Sequence, residues 1–386
     1  MNHSVDLDRA EAGFAGSTDG TVGIEEEFAI LDTATLDMAP RFEELREAGQ
    51  GDPVLCDAIA GELISSEIEI RSGAGHDVHH AIQLQREART RLFAIAGERG
   101  VALGSTGTHP WADYRDQPNI DTEHYRRVVD GLQYVARRNN TFALHVHVGI
   151  HGADRAVRVC DRLRSVLPLL LAIGANSPFL EDRDAGLHSV RTQTFTKSFP
   201  RCGVPDAYGS WQAYRDYLEF LVRTNSIIED TQVWWSIRPH LAFGTVEVRI
   251  CDAQSTAAES EALSQLIVAC VLQAARDHDE GVPFADPPMR LIEENMWRAI
   301  RHGRDGKLID LEHALEFPAV TAADRLLEWS APVRAEHAIE PEFPEQNGAQ
   351  RQRSARADGA SLREIFTAVV DETRRTFQAP EEIPAS

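Results

Sequence analysis

Two histidines alternate with apolar residues in Leu144–Ile150 (LHVHVGI), and glutamates and arginines do the same in three other segments. In Gly23–Ile30 (GIEEEFAI), Ile24, Phe28 and Ile30 point one way and Glu25 and Glu27 the other, the period of two expected of a β-strand. In Glu62–Arg71 (ELISSEIEIR), Ile64, Ile68 and Ile70 oppose Glu67, Glu69 and Arg71. In Gly244–Asp252 (GTVEVRICD), Val246, Val248 and Ile250 oppose Thr245, Glu247, Arg249 and Cys251. Two residues break the pattern. Glu26 falls on the apolar side, and Glu62 has the wrong parity to join Glu69 unless it lies beyond the strand end.

A charged strand face is ordinarily just a solvated face. These faces are built almost wholly of Glu, His and Arg, and in one sheet they would crowd carboxylates that repel unless cations neutralise them. Oxygen-rich clusters select hard divalent ions, so Mg2+ or Mn2+ is the natural partner and a polyphosphate the natural ligand. His145 and His147 could instead hold zinc in a metal-dependent amidohydrolase, although no third His or Cys stands at ligand spacing. No GxxxxGK[ST] or GxGxxG loop is present, so a nucleotide would have to be held by metal and arginine. No GxSxG marks a serine nucleophile.

The elements that must position these residues follow from periodicity. Helical patterns run over 78–98, 154–175, 208–224, 256–278, 287–302 and 321–337, with a final helix over 362–377. Strand-like runs occupy 22–31, 62–71, 101–106, 142–150 and 243–252. This mixture predicts an α+β fold, a mainly antiparallel sheet with helices packed on one face. Residues 1–20 read as a flexible acidic arm, 21–378 as a single catalytic domain, 340–361 as an exposed loop within it and 379–386 as a tail.

Composition narrows the function. Of 386 residues, 61 are acidic and 39 basic, for a formal charge of −22. That balance argues against a nucleic-acid partner, which needs clustered cations. Only Lys197 and Lys307 are lysines. Excess carboxylate with so little lysine suits a protein kept hydrated in concentrated salt; an acidic protein from a GC-rich genome is the alternative. No apolar run reaches the roughly 20 residues of a membrane span, and the N-terminus lacks a secretory core, so a cytoplasmic protein without a membrane partner is expected. Cys56, Cys160, Cys202, Cys251 and Cys270 form no CxxC pair, which disfavours a disulfide framework.

Six motifs then occur in order: GIEEEF, ELxxSxIEIRSG, GTHPWAD at 107–113, HVHVGI, ANSPFLEDRDAGLHSVR at 175–191, and WWSIRPHLAFGTVEVRICDAQ at 234–254. Together they resemble the carboxylate–amine ligase family, the type 2 glutamate–cysteine ligases, across about 20–280 and more loosely beyond. The resemblance implies a glutamine-synthetase-like catalytic sheet and ATP-dependent joining of L-glutamate to an amine, usually that of L-cysteine, through a γ-glutamyl phosphate. It implies metal ligands at Glu25, Glu27, Glu62, Glu69, His145 and Glu247, and a cofactor-binding role for His145, His147 and Arg249. It implies catalytic roles for Arg249, Glu247 and Arg238, with ATP and Mg2+ (or Mn2+) as cofactors. Arg183, Arg191, Thr106 and Trp235 are further candidates for substrate contacts, with Trp234 beside them. Ser236 departs from the Asp expected in many relatives, which keeps open a non-catalytic nucleotide-binding protein beside the ligase and the amidohydrolase. Self-association into a homo-oligomer is likewise left open.

Overall fold

A computed structural model describes residues 5–378. Its centre is a seven-stranded sheet: β1 (Val22–Asp32), β2 (Ile59–Ala60), β3 (Glu67–Arg71), β4 (Val101–Gly104), β5 (Ala143–Gly149), β6 (Ile237–His240) and β7 (Thr245–Asp252). The strand order is β6-β7-β5-β1-β3-β2, every pairing is antiparallel, and β4 pairs with the C-terminal half of β1 beyond the end of β5. The register sets Glu25 opposite both Arg71 and His145, Glu27 opposite Glu69, and Glu247 opposite both His147 and Arg238. Strand alternation therefore gathers residues from five strands on one face.

The other face is the core. Ile24, Val146, Val148, Val246 and Val248 pack into one apolar cluster with helices α1 (Leu7–Gly16), α2 (Ala153–Leu163), α3 (Leu167–Gly174) and α4 (Ala257–Asp279). Phe28, Ile30, Ile68 and Ile70 form a second cluster with Ala88, Leu92, Phe93 and Ala96 of the helix Val78–Glu98, whose N-cap Asp77 accepts from the His80 amide. Each Val, Leu, Ile or Phe side chain removed from water here contributes about 1.5–3 kcal/mol. The final helix, Leu362–Gln378, guards the edge strand β4: Phe377 meets Phe28 at 5.5 Å, while Phe366, Val369 and Val370 join Ala29 and Leu31.

The odd Glu26 has a physical explanation. It is buried on the core side, where Arg89 Nε and Nη2 each donate to it at 2.6 Å, Gln85 donates at 2.9 Å, and the Ser260 hydroxyl also donates. Arg89 Nη1 in turn reaches Glu261 at 2.7 Å. A charge inside an apolar layer is tolerable when paired and fully hydrogen-bonded.

Several expectations are corrected. The arm assigned to 1–20 contains α1, capped by Asp6, with Leu7, Ala10 and Phe14 buried at helical spacing and Phe14 against Trp211. The loop assigned to 340–361 contains the helix Gly348–Ala357, started by an Asn347–Gln350 capping box. Asn347 also donates to the carbonyls of Ala172 and Ile173 at the end of α3, which docks a polar segment without an apolar stripe. The helix read over 154–175 is two, α2 and α3. In β7 the register jumps from Val248–Val146 to Cys251–Leu144, so Arg249 and Ile250 bulge opposite His145. The bulge reverses parity, and Cys251 lies in the apolar core rather than beside Glu247. The tail at 379–386 lies outside the described residues.

Candidate active site

The polar face of the sheet floors a cavity of about 380 Å³. Its floor is charged yet largely withdrawn from water: Glu25, Glu27, Glu67, Glu69, His145, His147, Arg238 and Glu247 are all buried. Glu247 accepts from Arg238 Nε at 2.6 Å and from Arg249 Nη1. Arg71 Nε donates to Glu69 at 2.6 Å and stands 3.5 Å from Glu25. His145 Nδ1 lies 3.3 Å from Glu25, and His147 Nδ1 lies 3.0 Å from the Thr245 hydroxyl. Glu62 precedes β3, beyond the strand end, and so reaches the floor despite its parity.

The floor divides electrostatically. Burial opposes the charge on Glu247, but Arg238 and Arg249 outweigh it and hold the carboxyl well below the usual range. Burial likewise opposes Glu25, which His147 and His145 pull down. On the other side Arg71, Arg191 and Arg249 offset the crowd of carboxyls only in part. Burial, then Glu69, pushes Glu27 up to about 7; burial, then Glu27, pushes Glu62 up to about 7. Glu67 and Glu69 are raised well above the carboxylate range, chiefly by burial and then by neighbouring carboxylates. Such a cluster binds either protons or cations.

Three sets of ligand atoms lie within 4.8 Å of one another: Glu25, Glu69 and His145; Glu25, His147 and Glu247; Glu27, Glu62 and Glu69. Glu25 and Glu69 each belong to two sets, so the three form a connected row. The buried Nε2 atoms of His145 and His147 and Oε2 of Glu67 have no hydrogen-bond partner. Oxygen-dominated sets with one imidazole at most suit Mg2+ or Mn2+. Among the described residues no set unites His145 with His147, which the zinc alternative requires.

Not every candidate reaches the cavity. Arg191 lines it, with its guanidinium donating to the carbonyls of Ile250 and Arg249. Trp234 lines it, whereas Trp235 packs on the core. Arg183 lies in an exposed two-residue strand outside the lining, and Thr106 is buried, donating to the Thr108 carbonyl. Neither contacts the cavity, because the 179–184 hairpin and the 105–108 turn are tied to each other instead, with Thr108 donating to the Phe179 carbonyl. Ser236 lies outside the lining and uses its carbonyl to hold the Arg249 amide at 2.9 Å. Sequence reasoning left out Glu67 and Arg71, which strand parity already placed on this face. It also missed His240 at the end of β6, and Tyr125, Phe195, Phe199 and Phe243, which loops and helix ends bring in without a periodic signal.

The architecture is that of an α+β protein built on an antiparallel sheet, and solved structures share this fold. A glutamate–cysteine ligase from Francisella tularensis in complex with AMP superposes with a TM-score of 0.67 at 12% identity, covering 94% of this chain and 90% of that one. A bifunctional glutathione synthetase from Pasteurella multocida gives 0.66 at 13%, covering 96% of this chain and 54% of that one. The chain belongs to glutamate–cysteine ligase family 2, whose model matches residues 21–374. A Rubrobacter xylanophilus protein assigned as glutamate–cysteine ligase 2-2 is 35% identical over 371 residues, 96% of this chain and 95% of its own. A glutamate–cysteine ligase of Natronomonas pharaonis is 32% identical, with 86% of this chain and 91% of that one covered. No helix among the described residues is long and apolar enough to cross a membrane.

Proposed function

We propose that this protein is an ATP-dependent ligase that joins the γ-carboxyl of L-glutamate to the amine of L-cysteine through γ-glutamyl phosphate. The observation that carries the reading is the row of three ligand sets sharing Glu25 and Glu69, flanked by Arg238 and Arg249. A row of hard-cation positions beside guanidiniums is a bed for a triphosphate.

The chemistry needs positioning and charge rather than a protein nucleophile. A γ-carboxylate oxygen attacks the γ-phosphorus of ATP, the bond to ADP breaks, and the amine then displaces phosphate from the acyl carbon. Glu25, Glu27, Glu62, Glu69, His145, His147 and Glu247 would hold Mg2+ or Mn2+, which would neutralise phosphate charge when bound. Arg249, fixed by Glu247 and with a buried Nε free of protein partners, carries positive charge to the phosphoryl group in transfer. Arg238 holds Glu247 from the other side and supports that geometry. The recess, walled by Phe195, Phe199 and Trp234, keeps water from the acyl phosphate. On this reading the enzyme works on small molecules in the cytoplasm.

The test is phosphate release by purified protein with ATP, Mg2+ and glutamate, screened over cysteine and other amino acids in high salt. Cysteine is expected to give the fastest release, and hydroxylamine to trap a γ-glutamyl hydroxamate when cysteine is omitted. Release indifferent to glutamate, or none with any amine, would overturn the reading.

A further inference from the structure

The cavity has one aromatic surface that the proposed chemistry leaves unused. Phe243 lines the cavity and is 57% exposed, conspicuous for a phenyl ring. It sits in the β6–β7 hairpin, where the Gly244 amide bonds the His240 carbonyl at 3.0 Å and Gly244 adopts φ of 63°. A side chain there would also be crowded, since its Cβ would meet the Gly13 carbonyl at 2.9 Å, so the hairpin is held against α1. One face of the Phe243 ring is stacked on His240, with centroids 4.4 Å apart and planes 16° apart. Both rings abut His147, at 5.5 Å from Phe243 and 5.0 Å from His240. His147 belongs to the ligand set with Glu25 and Glu247. An open aromatic face thus stands one ring away from a phosphate-binding position, on a rigid support.

The other aromatic groups of the cavity are engaged. Phe195 and Phe199 pack at 4.5 Å, Phe199 meets the edge of Trp234 at 5.6 Å, and the Arg201 guanidinium covers Trp234. At the end bordered by Glu62, Glu67 and Glu69, Tyr125 is engaged too: its hydroxyl donates to the Gly61 carbonyl and its ring meets the edge of His124 at 5.0 Å.

We infer that the outer face of Phe243, backed by His240, is the shelf on which the nucleobase stacks while the phosphates extend past His147 onto the floor. The inference rests on the ATP-dependent reading above. Base–aromatic stacking is tolerant of base identity because every base presents a π-face, so the shelf supplies affinity for purine nucleotides without choosing between them. It also orients the triphosphate, since a base fixed at the hairpin leaves the phosphates only one direction across the floor.

The experiment compares MgADP and magnesium tripolyphosphate, which lacks a base, by calorimetric titration of native protein, Phe243→Ala and Phe243→Trp. Phe243→Ala is expected to weaken MgADP about tenfold to a hundredfold while tripolyphosphate affinity stays unchanged, and Phe243→Trp is expected to restore MgADP binding. Phe243→Ala binding MgADP as well as native protein would overturn the shelf. Equal losses for both ligands would also overturn it, because the substitution would then act through the floor. Native protein that binds neither ligand would instead remove the ATP-dependent reading on which the shelf depends.

Discussion

Arg89 meets Glu26 with two hydrogen bonds of 2.6 Å on the core side of β1, directly behind the strand that carries Glu25 and Glu27 to the cavity. Three consecutive glutamates are thus divided by the strand pleat, with the middle one neutralised by a buried guanidinium and the outer two facing the floor. Replacing Arg89 by Met leaves Glu26 buried and uncompensated. The expected loss is about 3–5 kcal/mol in urea unfolding. Adding Glu26→Met removes the orphaned charge, so the double variant is expected to be more stable than Arg89→Met alone.

Glu247 balances Arg238 and Arg249 simultaneously. Glu247→Gln keeps the shape and removes the charge that orients both guanidiniums. Turnover is expected to fall at least about a hundredfold, the scale of losing one preorganised electrostatic contact, while the far-ultraviolet circular dichroism is retained. Near-native turnover would contradict the role proposed for this carboxylate.

Cation binding is expected to depend on pH near neutrality. Burial and neighbouring carboxylates push Glu27 and Glu62 up to about 7, and a cation binds their deprotonated forms. Affinity therefore rises with pH through 7, and below it the cation must displace protons. Mn2+ affinity measured by electron paramagnetic resonance at pH 6 and pH 8 is expected to be at least about tenfold tighter at pH 8. A flat profile would show that these two groups do not bind the cation.

His109 couples folding to acid. Its Nε2 donates to the Leu36 carbonyl at 2.8 Å and its Nδ1 accepts from the Ala112 amide at 3.0 Å, so the buried ring is neutral. Burial lowers it to about 4. A folded-state value below the unfolded value near 6.5 means that the unfolded chain binds more protons as pH falls. The contribution is full above about 6.5 and is lost as pH falls to 4, amounting to about 3 kcal/mol. His109→Gln is expected to flatten the stability–pH curve by that amount in this window, as followed by urea unfolding at pH 7 and pH 4.

Much of the floor was readable because strand parity is a local property. The alternation around His145 and Glu247 assigned their faces without knowledge of which strands pair. What escaped depended on distant partners. Glu26 broke parity because its compensation, Arg89, lies 63 residues away. Cys251 was misplaced because a two-residue bulge against His145 leaves no mark in composition. The helices at 7–16 and 348–357 were hidden by polar sequence: Phe14 anchors the first on Trp211, and Asn347 docks the second through carbonyls of α3. Arg183 had the right chemistry but lies on an exposed hairpin, a matter of chain path rather than residue type.

Anomalous diffraction from crystals soaked with Mn2+ and a non-hydrolysable ATP analogue tests the central claim most directly. Manganese peaks are expected in at least two of the three sets built on Glu25 and Glu69, with the analogue's phosphates beside Arg249. Manganese and nucleotide bound elsewhere, with the floor carboxylates contacting neither, would contradict that claim.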